Sequence, residues 1–124
     1  MNCSCVYVGF DTYDTPEFHK AIIRKAIKEH KCCECNRIIS IGEKYENVSG
    51  SWDGHFSTYK TCEDCLSIRN ELFCEGWFYE QIFEYLHEYL NECNGEVPAE
   101  CLLSLTPNAM TKVCGMIDEI WEDD

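Results

Sequence analysis

Lys31-Cys32-Cys33-Glu34-Cys35-Asn36 and Thr61-Cys62-Glu63-Asp64-Cys65, with 26 residues between Cys35 and Cys62, decide how this chain folds. Each contains a C-x2-C pair, which sets two thiolates on the same side of a tight turn. Two such pairs supply the four soft ligands that a structural zinc ion prefers, with no position left for water. Cys32, Cys35, Cys62 and Cys65 are therefore the expected ligands of one structural Zn(II). Cys33 is an adjacent alternative, but its C-x-C spacing to Cys35 makes a poorer knuckle.

The residues around the pairs fit that reading. Asn36 stands where the chain must turn with positive φ, a conformation Asn tolerates. Between the pairs, Asp53-Gly54 separates two β-capable runs, Glu43–Ser49 and Phe56–Thr61, which is a hairpin signal. Beyond them Leu66, Ile68, Arg69, Leu72 and Phe73 recur at helical spacing, so Cys62 and Cys65 should open a helix. Knuckle, hairpin and a helix carrying the second pair make a treble clef.

Lys25-Ala26, His30 to Cys35, Ile38, Gly42 to Glu46, Ser49 to Gly54 and Thr61-Cys62 resemble a group of small zinc-binding proteins of phages and prophages. The resemblance covers about residues 24–78, including Gly76-Trp77. It implies a phage origin and a treble-clef metal site, and it implies no activity. Asn36 replaces the glycine usual in that group.

Composition sets the remaining limits. The 124 residues suit one domain or a small zinc module with a helical extension, and 45% hydrophobic content allows a modest core. The first 30 residues lack a basic stretch followed by a long apolar run, and no window reaches membrane-helix length. Eleven cysteines, an odd number, fit a reducing compartment better than a full disulfide framework. The expected location is the host cytoplasm. The net charge of −13 disfavours direct nucleic-acid binding. It is also unevenly placed: residues 1–70 hold 10 acids and 9 bases, whereas residues 71–124 hold 13 acids and only Lys112.

The expected fold is α+β, with the treble clef, an N-terminal strand and helix, and a C-terminal helical hairpin or bundle. Residues 1–75 would form the zinc unit and 76–124 an acidic helical extension packed on it. Cys3–Phe10 alternates like a strand, and a second metal site using Cys3 and Cys5 with Cys74 or a histidine stays open beside the simpler reading of buried thiols. Thr15-Pro16-Glu17 reads as the start of a helix to about Glu29, with Lys20, Arg24 and Lys28 on one i, i+4 row. Residues 76–93 read as a second helix with a broad aromatic stripe. Its polar side carries Glu80, Glu84, Glu88 and Glu92, about 6 Å apart along a helix axis. That row is either a solvated face or a phosphate-mimicking ladder. Asn94-Gly95 should end this helix, Val97-Pro98 start a short one, and Thr106-Pro107 cap a last one.

Four thiolates close a zinc ion and leave it unable to activate water, so no enzyme is expected. The leading reading is a protein that binds a host protein with a basic surface through Glu80, Glu84, Glu88 and Glu92, anchored by Trp77 or Tyr85. The result would be inhibition of a nucleic-acid-binding or defence complex by mimicry of DNA. An alternative is a nucleic-acid-binding regulator using Lys20, Arg24, Lys28 and Arg37. A third is a component that dimerises through the aromatic helix. An HNH-like nuclease is a remote fourth, resting on His55 and Asn70 without a second helix histidine. Sequence leaves the oligomeric state open.

Overall fold

A computed structural model describes residues 18–52, 54–73, 77 and 79–122. The fold is mixed α and β, and the chain divides into two compact units that part between Glu63 and Asp64. The expected strand at residues 3–10 and the helix start at 15–17 lie outside the described residues.

The first unit is built on an antiparallel sheet of β1 (Phe18–Lys25), β4 (Lys44–Trp52) and β5 (His55–Cys62), with β4 in the middle. Strands β2 (His30–Lys31) and β3 (Ile38–Ile39) form a separate two-stranded ribbon. β4 and β5 are the hairpin expected from Asp53-Gly54. Trp52 pairs with His55 across a two-residue loop, in which Gly54 has φ 78°. Positive φ at a loop this short is what glycine supplies without steric cost.

β1 is a correction, because residues 18–25 form a strand where a helix was expected. All eight residues pair with β4, from Phe18 opposite Ser51 to Lys25 opposite Lys44. Side-chain burial is not what holds this strand, since Ile23 stays 58% exposed. What β1 contributes is a set of backbone partners for the open edge of β4, whose buried amides and carbonyls would otherwise go unpaired. The helical tendency of Lys, Ala and Arg is too small to outweigh a complete ladder. Lys20 and Arg24 consequently share a strand face instead of a helix row, and Lys28 lies in the bend that follows.

Among the described residues, the fully enclosed side chains of this unit are Ile39, Val48, Thr61, Cys32 and Cys62. Two of the five are expected ligands, so sulfur occupies space that aliphatic carbon would fill in a larger domain.

The second unit is helical: α1 (Glu63–Leu72), α2 (Ile82–Glu92), α3 (Ala99–Leu103) and α4 (Pro107–Glu122). α2 buries Ile82, Leu86 and Leu90, and α4 buries Ala109, Val113 and Ile117, each an i, i+4, i+8 stripe. The two helices pack together, with Ile68 and Leu72 of α1 also enclosed. Thr106 caps α4 as expected: its Oγ1 accepts from the Ala109 amide at 3.4 Å and donates to Asp64 Oδ1 at 2.6 Å. The Thr106 amide donates to Ser67 Oγ at 3.0 Å, which fastens α4 to the first turns of α1.

α2 stops where Asn94-Gly95 predicted. Both residues have positive φ, and the Gly95 amide donates to Leu90 O at 2.8 Å. A Cβ on Gly95 would lie 2.9 Å from Ile117 Cγ2, so the close approach of α4 also requires glycine.

The start of α2 differs from the expected helix over 76–93. Tyr79 and Glu80 are in a turn, and Glu80 has φ 70°. The cause is tertiary. Arg69 is only 3% exposed, and its guanidinium lies 4.2 Å from the Trp77 ring centroid and 5.9 Å from that of Tyr79. A buried cation is stabilised by aromatic faces, and serving Arg69 takes this stretch out of the helix. Cys101 on α3 is disulfide-bonded. Among the described residues no helix is long and apolar enough to cross a membrane.

Candidate metal centre

The β2–β3 ribbon makes the first half of the site. Cys32 follows β2, and its amide donates to Arg37 O at 2.9 Å, while the Asn36 amide donates to Cys32 O at 3.0 Å. Asn36 adopts φ 65°, the left-handed turn expected of it, and Cys35 comes round toward Cys32. The second half is the junction of sheet and helix, where Cys62 ends β5 and Cys65 lies in the first turn of α1.

The sulfurs of Cys32, Cys35, Cys62 and Cys65 all lie within 4.8 Å of one another. Four sulfurs about 2.3 Å from a central ion sit about 3.8 Å apart at the corners of a tetrahedron. Cys35 Sγ and Cys62 Sγ are 3.8 Å apart. Cys32, Cys62 and Cys65 are buried and Cys35 half-buried. The Glu34 and Cys62 amides each donate to Cys32 Sγ at 3.4 Å, an arrangement that favours the charged thiolate. Thiolates this close repel one another strongly, so the cluster suits a cation held among them. The residues fit one four-coordinate metal ion, and with four protein ligands no coordination position remains for a substrate or a water.

Cys33 is outside the set. Its sulfur lies 3.6 Å from Glu34 Oε2 and 3.6 Å from Thr61 Oγ1. Burial, with the Glu34 charge beside it, pushes its thiol up to about 12. Cys3, Cys5 and Cys74 lie outside the described residues, while Cys93 and Cys114 are free and half-buried. His55 is exposed at the start of β5 and Asn70 is exposed on α1; the four cysteines are the only metal-competent group among the described residues.

The other expected site residues separate into engaged and exposed. Arg37 is engaged: its guanidinium donates to both Glu43 carboxylate oxygens, at 3.1 and 2.9 Å. Those bonds, with the Ser40 amide, hold the Glu43 carboxyl down at about 2 and raise Arg37 further above its ordinary value. Arg37 thus braces the knuckle turn, a role for which the sequence offered only the six-residue spacing to Glu43. Trp77 is half-buried against Arg69, and Tyr85 is half-buried on α2. Glu84, Glu88 and Glu92 are exposed on α2, and Glu80 is exposed in the preceding turn, off the helix that was to carry it. Lys20, Arg24 and Lys28 are exposed. His30 packs its ring 4.9 Å from that of Tyr45, and its pKa is lowered by burial and then by Lys60 and Lys28.

No family model matches the chain, and neither a curated protein nor a solved structure matches it at a significant level.

Proposed function

We propose that this is a non-enzymatic zinc-binding protein of phage origin, of treble-clef type, that binds a basic surface on a host protein through the acidic side of α2. Zinc is the ion this donor set favours, since four thiolates in a tetrahedral cage suit a soft or borderline cation without geometric demands of its own. The order of ribbon turn, hairpin and helix around the cysteines supports the treble-clef assignment. The phage origin rests on the sequence resemblance.

One observation carries the binding role: Glu84, Glu88 and Glu92 are all exposed on α2, opposite the buried Ile82, Leu86 and Leu90. They repeat at about 6 Å along the axis. Lys112, the only base after Arg69, does not neutralise them; its Nζ lies 4.8 Å from the centroid of the Phe83 ring. A row of carboxylates tolerated against its own repulsion attracts a positive groove and speeds encounter with it. Occupying such a groove is how the protein would inhibit a nucleic-acid-handling or defence complex in the host.

The test is retention of host proteins by immobilised, zinc-loaded protein, compared with E84K/E88K/E92K. A basic protein held by the native chain at low salt and lost with the triple reversal supports the reading. Equal retention by both overturns it.

A further inference from the structure

We propose that one face of the three-stranded sheet is a binding surface for single-stranded nucleic acid, with Lys20, Arg24 and Lys60 contacting phosphates and Phe56 stacking on a base. This surface is separate from α2, and its success or failure leaves the reading of α2 untouched.

The register assigns the face. Lys20 on β1 lines up with Ser49 on β4 and Thr58 on β5, and Ile22 lines up with Asn47 and Lys60. Residues directly opposite share a face, and alternate residues along each strand repeat it. Lys20, Arg24, Lys60 and Phe56 therefore lie on one side of the sheet. Glu46, the single acid in the three strands, is in register with Ile23 and Thr61 and belongs to the other side. The face carries no carboxylate, its row from Arg24 running through buried Tyr45 to Cys62 of the metal cluster, and among the described residues none of its three cations pairs with a carboxylate.

Spacing and chemistry suit a phosphate chain. Lys20 and Arg24 are about 13 Å apart along β1, and Lys60 is displaced about 10 Å across the sheet. Asn47, Ser49 and Thr58 put neutral hydrogen-bonding groups between them. Phe56, 66% exposed, stands on the same face at the hairpin end. Cations that track a backbone beside an exposed aromatic ring are the elements of sequence-tolerant single-strand binding, because every base offers a stacking face.

Local charge agrees. Residues 18–62 hold eight bases against five acids, although the whole chain carries −13. At physiological salt a charge is felt over about 8 Å, so the cations at the contact govern it.

The experiment is fluorescence anisotropy of a labelled oligothymidylate of about 20 nucleotides with the full, metal-loaded chain, competed by polyglutamate. Expected are saturable binding and about a twentyfold fall in affinity from about 50 to about 200 mM salt, as three phosphate contacts require. K20E/R24E should reduce affinity at least tenfold while keeping the bound metal, and F56A should reduce it about tenfold with the salt dependence unchanged. Absence of binding at low salt, or equal binding by K20E/R24E, overturns the proposal. So does displacement by polyglutamate at equal charge concentration, which would assign the face to an acidic protein segment.

Discussion

The two units solve the problem of burial in opposite ways. The helical unit encloses carbon: Ile68, Leu72, Ile82, Leu86, Leu90 and Val113 are all fully buried. The sheet unit encloses Ile39, Val48 and Thr61 together with two cysteines of the metal cluster. Charge divides the same way, with two bases and 14 acids after Glu63 but a basic excess over residues 18–62. A helix hides its backbone polar groups internally and needs only an apolar stripe to pack. A small sheet with an exposed edge strand has little apolar surface to offset its ordering entropy, and an ion held by the four cysteines would add to it.

The sharpest way to break that contrast is to remove the ion. Chelation, or Cys62→Ser, should unfold the sheet unit while much of the helical circular dichroism persists, since zinc ligation contributes ~10 kcal/mol or more in small modules. Hydrogen exchange resolved along the chain reads the result. Loss of protection in α2 and α4 in step with β4 and β5 would mean that the carbon core also depends on the metal.

A change of intermediate size tests the helical side alone. Gly95→Ala forces a side chain into positive φ and against Ile117, and should lower stability by roughly 1–3 kcal/mol in urea unfolding. Metal affinity should be unchanged. A fall in metal affinity would show that the two cores are coupled.

The smallest effect belongs to Glu43→Gln. Glu43 is depressed to about 2 from 4.5, so its stabilisation is complete above about 4.5 and is lost as pH falls toward 2. Both partners are about a third exposed, and solvent screening limits the loss at neutral pH to about 1 kcal/mol or less. Thiolate protonation disturbs the metal in acid, so the comparison is made by thermal unfolding at pH 7. A loss of several kcal/mol would mean that the pair contributes far more than a screened surface bridge.

Legibility follows the range of the signal. The four-cysteine cluster was readable because each half is a local C-x2-C pair, and Asn36, the hairpin loop, the stop at Gly95 and the cap at Thr106 because each depends on residues within a few positions. β1 was not, since what makes Phe18–Lys25 a strand is the ladder with β4, some twenty residues on. The first turn of the expected second helix fails for the same reason: Trp77 and Tyr79 serve an arginine on a different element. Arg37 looked available for phosphate because nothing in its immediate sequence shows the two-oxygen grip of Glu43. Glu84, Glu88 and Glu92 kept their helical row, while Glu80, one step before α2, left it.

Unequal burial of the four sulfurs has a consequence for durability. Three are enclosed, and Cys35 is half-buried. Peroxide or an alkylating electrophile diffusing to the protein therefore meets the cage at that corner first, and thiolate bound to a metal is still a nucleophile. Within the cage, chemical ageing should begin with modification of this one residue and proceed through ejection of a bound ion.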